Sequence, residues 1–209
     1  MTIHLYAFDT PNGRKISVAL EEMELPYEVH VVDIGEDQQF APDFLAISPN
    51  NKIPAIVDED GPRGAPVSLF ESGAILWYLG CKTGKFWPAA LAEQVPVMEW
   101  LMFQMGGFGP MPGQVHHFAA LKDETDRRYG LQRYKTETLR LYGVMERRLQ
   151  TQAYFADALS IADFAILGWA WRHARHQVDL AAFPAVQRWF QGLMARPGVA
   201  RGFAVKLRA

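Results

Sequence analysis

The chain has 209 residues, 49% of them hydrophobic and 21% charged, with 21 basic and 23 acidic side chains giving a formal net charge of -2. That balance excludes a disordered tail, a collagen-like repeat and a small disulfide-stapled scaffold, and it offers no electrostatic footprint for nucleic acid or an anionic membrane surface. One cysteine, Cys81, rules out an intramolecular disulfide, and no window reaches the run of about 18 apolar residues that a membrane-spanning helix needs. The opening residues lack the basic segment and apolar stretch of a secretory signal, so a cytoplasmic protein is expected.

Residues 3–7 read as a buried strand, followed by the turn Pro11-Asn12-Gly13 and a helix over 15–25, where Ile16, Ala19, Leu20 and Met23 share a face. Residues 27–32 read as a second strand, then come a polar loop over 35–39 and a short helix over 42–46. Two short strands, 55–57 and 67–69, flank a Gly/Pro-rich connection and are expected to pair antiparallel. Residues 72–82 form another helix, with Ala74, Ile75, Tyr78 and Leu79 on one side. The order βαβαββα is that of a thioredoxin-like α/β domain over residues 1–83.

Beyond a linker at 84–89 the strand pattern disappears, and an all-α C-terminal domain is expected over 90–209. Residues 97–104 belong to one helix, interrupted or ended by the glycines and proline of 106–110. A long amphipathic helix covers 123–150. Ser160-Ile161-Ala162-Asp163 has the form of a capping box before the apolar run 164–171, and a last helix spans 185–195 and stops before Pro197-Gly198.

Three places along this order could carry chemistry. Thr10 and Asn12 lie in the first strand-to-helix turn, at the end of the sheet where open α/β folds bind ligands. Both are neutral hydrogen-bond donors, and donors beside a helix N-terminus favour a thiolate over a thiol; equally, Thr, Pro, Asn and Gly are the residues that build such a turn. Ile53-Pro54 puts a proline at the mouth of a strand, which either leaves the backbone of residue 53 open to an extended peptide or simply starts the strand. Glu71-Ser72 stands where a strand gives way to a helix. Free N–H groups and a hydroxyl there suit a carboxylate, and Glu71 suits an ammonium, while an ordinary helix start has the same form.

Other features read as structural. His173 and His176 are spaced i, i+3 on a helical pattern and His116-His117 are adjacent, but no carboxylate or thiol pattern completes a ligand set, so no metal is expected. Phe164, Trp169, Trp171 and Trp189 read as core, and Cys81 as a buried small hydrophobe.

The stretch Ser48-Pro49-Asn50-Asn51-Lys52-Ile53-Pro54-Ala55-Ile56-Val57-Asp58, followed by Leu69-Phe70-Glu71-Ser72-Gly73-Ala74-Ile75-Leu76, resembles the glutathione-binding half of the soluble glutathione transferases. Ser160-Ile161-Ala162-Asp163 resembles the helix start of that family's second domain, although the preceding segment lacks the glycine usually found there. Thr10-Pro11-Asn12-Gly13, the block from Gly106 to Phe118 and Arg133-Tyr134 with Glu137 and Arg140-Leu141-Tyr142 resemble the nu class, a bacterial group related to fungal nitrogen-regulatory transferase-like proteins.

The resemblance implies a homodimer with glutathione as cofactor, two molecules per site or the oxidised form. It implies that the sulfur sits near Thr10 and Asn12 and that a cis Ile53-Pro54 bond presents the Ile53 main chain to the cysteinyl part. Glu71 and Ser72 would hold the γ-glutamyl head, with further polar contacts from Gln39, Lys52 and Arg133. A thioredoxin-like domain without Cys-x-x-Cys needs an external thiolate for disulfide exchange, so glutathione-dependent disulfide reduction is the leading expectation. Conjugation to electrophiles or peroxide reduction uses the same sulfur, and a noncatalytic regulatory module uses the same fold.

Overall fold

The computed structural model describes residues 2–208. In chain order the elements are β1 (Ile3–Ala7), α1 (Pro11–Met23), β2 (Tyr27–Val31), α2 (Pro42–Ile47), β3 (Ala55–Asp58), β4 (Val67–Phe70) and α3 (Ser72–Thr83). There follow α4 (Leu91–Phe103), α5 (Pro110–Ala120), α6 (Glu124–Thr151), α7 (Ile161–Ala170), α8 (Pro184–Met194) and α9 (Pro197–Ala204). Two compact units result, one running through Lys85 and including the segment from Ala195 on, the other Phe86–Met194.

The first unit is built on a mixed four-stranded sheet in the order β2-β1-β3-β4. β1 runs parallel to β2 and antiparallel to β3, which pairs antiparallel with β4 as expected. Alternation along β1 buries Ile3, Leu5 and Ala7 on one face and leaves His4 and Tyr6 half-buried on the other. Ile16, Ala19, Leu20, Ile75, Leu76 and Leu79, all fully buried, supply α1 and α3 with apolar faces.

α1 begins one turn before the periodicity suggests, because Pro11 fits the first helical position and the Thr10 hydroxyl accepts from the Gly13 N–H at 3.1 Å. Gly13 is required there, since a Cβ would meet the Phe8 carbonyl oxygen at 2.3 Å. Cys81 is exposed, correcting the expectation of a buried position. It falls on the same outward stripe of α3 as Ala74 and Trp77, so Ala74 also lies off the buried face.

The C-terminal stretch departs most from expectation. Residues 197–204 form α9, packed on α1, rather than a tail beyond a final helix, and the segment belongs with the sheet unit although the helical domain was expected to run to 209. Pro197 starts this helix; read as a stop signal, it has the opposite meaning. Gly202 lies so close to α1 that a Cβ would stand 2.5 Å from Val18 Cα, and Ser17 Oγ donates to the Gly202 carbonyl at 2.8 Å.

The second unit is all-helical around α7, whose ten residues are all buried. The capping box is present: the Ser160 N–H and hydroxyl both donate to Asp163, at 3.0 and 3.2 Å. Asp163 also accepts from the Phe155 N–H and from Trp189 Nε1. Burial pushes its carboxyl up to about 6 against the pull of these donors. The glycine-rich stretch after α4 is one π turn, Gln104–Phe108, closed by a Gly109 N–H to Gln104 carbonyl bond of 2.8 Å, after which α5 begins at Pro110. α7 ends at Ala170, so His173 and His176 lie in the turns that follow it rather than on a helix.

Candidate functional site

The sheet register gathers the candidate residues of the first unit. Tyr6 pairs with Ala55, which pairs with Phe70, and Ala7 pairs with Val31. The chain leaving β1 and β2, the chain entering β3 and the chain leaving β4 therefore emerge at one end of the sheet. These segments carry Thr10 and Asn12, Gln39, Lys52 and Ile53, and Glu71 and Ser72.

Each position has a local cause. Thr10 caps α1, and because its oxygen accepts from Gly13, its O–H hydrogen is left to donate. Asn12 is half-buried in the first turn of α1, at the positive end of the helix dipole. The Ile53-Pro54 bond is cis, and the Ser48 hydroxyl fixes the approach to it by donating to the Lys52 carbonyl at 2.8 Å. Lys52 itself is exposed and Ile53 half-buried. Gln39 lies in a 3₁₀ turn, Gln38–Phe40, where its Oε1 is buried with no hydrogen-bond partner among the described residues. A buried acceptor of this kind calls for a donor.

Glu71 precedes α3 with φ 69°, a left-handed backbone that a glutamate adopts only under constraint, and its side chain is exposed. Ser72 opens the helix and is 4% exposed. Arg133 is exposed on α6 of the second unit.

Lys15 completes the group, although no motif in the sequence marks it. It is 1% exposed, and Nζ donates to Ser72 Oγ at 3.1 Å. Burial lowers its ammonium from the usual value to about 7, against the attraction of Glu71. The available signal is the row Lys15, Ala19, Met23, one helical turn apart, in which a lysine occupies the first place of an otherwise apolar stripe.

Of the histidines singled out in the sequence, His116 and His176 serve the interior of the helical unit, while His173 is half-buried and His117 exposed. His116 and His176 stack at 4.9 Å, Trp169 lies against both, and the Tyr142 hydroxyl is 3.1 Å from His176 Nδ1. Burial pushes His116 down to about 4 and His176 to about 3, so both are neutral at pH 7. Phe164, Trp169 and Trp189 are buried, as expected of core.

Comparison with known proteins gives a consistent picture. The family description "Glutathione S-transferase, N-terminal domain" matches residues 10–82, and "Glutathione S-transferase, C-terminal domain" matches 109–197. The chain is 48% identical over 197 residues to Disulfide-bond oxidoreductase YfcG of Escherichia coli, covering 93% of this chain and 91% of that one. It is similar to a glutathione transferase from Burkholderia graminis solved with two glutathione molecules per subunit. That match has TM-score 0.92 and 41% identity, over 100% of this chain and 90% of the other. A glutathione transferase from Pseudomonas putida, solved with one glutathione disulfide per subunit, superposes with TM-score 0.90 at 42% identity over 98% and 92% of the two chains.

Proposed function

We propose, for a chain that belongs to the glutathione S-transferase family, a glutathione-dependent disulfide-bond reductase of the nu class, cytoplasmic and homodimeric. The observation that carries this reading is the convergence of Thr10, Ile53 and Glu71-Ser72 at one sheet end that holds no cysteine. Such a site supplies hydrogen bonds and charge but no sulfur, so the thiolate comes from the bound peptide. Glutathione binding by relatives with TM-scores of 0.92 and 0.90 supports the choice of peptide.

In this reading the Thr10 hydroxyl and the Asn12 amide donate to the sulfur beside the N-terminus of α1, lowering its pKa. The Ile53 main chain pairs with the cysteinyl unit in the manner of an added strand. Ser72 and the first N–H groups of α3 take the γ-glutamyl carboxylate, with the Lys15 ammonium behind them and Glu71 facing the amino group. Gln39 Oε1 gains the donor it lacks, and Lys52 faces a carboxylate.

The thiolate attacks one sulfur of the substrate disulfide, forming a mixed disulfide and expelling the other sulfur as thiolate. A second glutathione thiolate then releases the remaining half, leaving glutathione disulfide, and each expelled thiolate takes up a proton. A homodimer is supported by apolar side chains left open on each unit: Phe70 and Trp77 on the first, Leu91, Val95 and Met102 on the second.

The test is to assay wild type, Thr10→Ala and Asn12→Ala for glutathione-dependent turnover of a small disulfide and of a chloronitroaromatic electrophile. The expected result is faster disulfide reduction in wild type and a loss of about tenfold or more in each variant, because each removes one donor that favours the thiolate. Faster aromatic conjugation in wild type would make the protein primarily a conjugating transferase. Unchanged rates in both variants would remove Thr10 and Asn12 from the sulfur site.

A further inference from the structure

A second cluster of chemistry-bearing side chains lies on the sheet itself, outside the glutathione site. The β1–β2 register sets His4 opposite Glu28 and Tyr6 opposite His30. Because alternate residues of a strand share a face, His4, Tyr6, Glu28 and His30 all project from the same side. The consequence is close: His4 Nδ1 lies 3.0 Å from His30 Nε2 and 3.6 Å from Glu28 Oε2. One ligand atom from each of the three lies within 4.8 Å of the others.

We propose that His4, Glu28 and His30 form a binding site for one divalent transition-metal ion of the zinc class, with Glu59 orienting His4.

Four features of the geometry support this assignment. Ligand atoms held tetrahedrally about zinc at its usual N and O distances lie about 3.3–3.4 Å apart, and the two separations at His4 Nδ1, 3.0 and 3.6 Å, bracket that spacing. His4 Nε2 lies 3.4 Å from Glu59 Oε1, and Glu59 is anchored through its other oxygen by the Thr2 N–H at 2.8 Å. A carboxylate on the far nitrogen holds the proton at Nε2 and turns the Nδ1 lone pair toward His30 and Glu28, the outer arrangement that metal-binding histidines commonly have. The Tyr6 ring stacks on His30 at 4.7 Å and 16°, fixing the plane of the second imidazole.

Two imidazoles and a carboxylate suit zinc, nickel or copper(II) rather than magnesium, which prefers an all-oxygen octahedron. Glu28 is 65% exposed, so the remaining coordination position opens to water. Such an ion ties β1 to β2 across the sheet that carries the glutathione site. The three residues escape any search for ligand spacing because β1 and β2 are separated in sequence by the whole of α1 and meet only through the parallel ladder.

The test is calorimetric titration of glutathione-free protein with zinc chloride, glutathione being itself a zinc ligand. The expected result is one saturable site per chain, absent with magnesium chloride. His30→Ala and Glu28→Gln should each weaken it by about tenfold or more, and Glu59→Gln by about tenfold. Cys81→Ser and His117→Ala should leave it unchanged. Glu28 is exposed, so its glutamine variant carries the test even where His30→Ala fails to fold. Absence of a saturable site in wild type, zinc binding that Glu28→Gln leaves intact, or binding lost in Cys81→Ser would each overturn the proposal.

Discussion

A lysine that is 1% exposed is costly to keep charged: burial lowers the Lys15 ammonium to about 7 against the attraction of Glu71, and Nζ donates to Ser72 Oγ. In the unfolded chain its ammonium titrates at 10.5 and in the folded chain at about 7. Between those values the unfolded state holds a proton that the folded state lacks, so wild-type stability rises with pH across that window and the cost of burial is full below it. Lys15→Met should therefore be more stable than wild type at pH 6.5, by about 1–4 kcal/mol, with the advantage shrinking by pH 9.5. Denaturant unfolding at the two pH values checks this, and parallel pH slopes in both proteins would contradict it. The same variant should bind glutathione about tenfold or more weakly, the mark of a charge that acts on the ligand from behind Ser72 rather than one that merely packs. At this scale the sequence is legible where a residue's task is local. Thr10 and Pro11 cap and start α1, and Ser160 with Asp163 starts α7. Lys15 is illegible because a lysine on a helix ordinarily faces water, and only the tertiary fold shows which side of α1 is covered.

The helices show where local signals stop. α9 has no side-chain cap of its own; Glu22 of α1 takes the Val199 N–H at 3.1 Å and pairs with Arg196 through two guanidinium nitrogens. α8 is treated alike by Glu146 of α6, whose carboxylate accepts from the Ala185 and Val186 N–H groups. Helix termini need such acceptors, but here the acceptor that serves α9 lies on α1, 177 residues away in sequence, so Pro197 reads as a terminator rather than a first residue. The π turn at Gln104–Phe108 likewise reads as a break in the sequence, because glycine propensity carries no information on the wider hydrogen bond that keeps the chain helical. Glu22→Ala should destabilise the protein by about 1–3 kcal/mol through the orphaned Val199 N–H and the lost Glu22–Arg196 ion pair. Hydrogen exchange should quicken at Val199 and the following amides of α9 before it does so in β1. Unchanged protection of α9 would show that packing on α1 alone holds it.

At the scale of the molecule, the order βαβαββα followed by helices is readable because strands alternate every second residue and helices every three to four. The register that brings Thr10, Ile53 and Glu71 to one sheet end is not in that pattern, nor is the return of residues 197–204 to the first unit, since both arise from pairing between distant segments. The single cysteine then takes on mechanistic weight. Cys81 is exposed near the far end of α3 from Ser72, nine residues along the helix and so about 14 Å away. Partial desolvation holds its thiol above the usual cysteine range, against reactivity. If bound glutathione supplies all the sulfur chemistry, a protein with no cysteine works as well as the native one. The decisive measurement is the initial rate of glutathione-dependent reduction of a small disulfide by Cys81→Ser. The rate should equal that of wild type, whereas its collapse in a variant that folds and still binds glutathione would place the reacting sulfur on the protein.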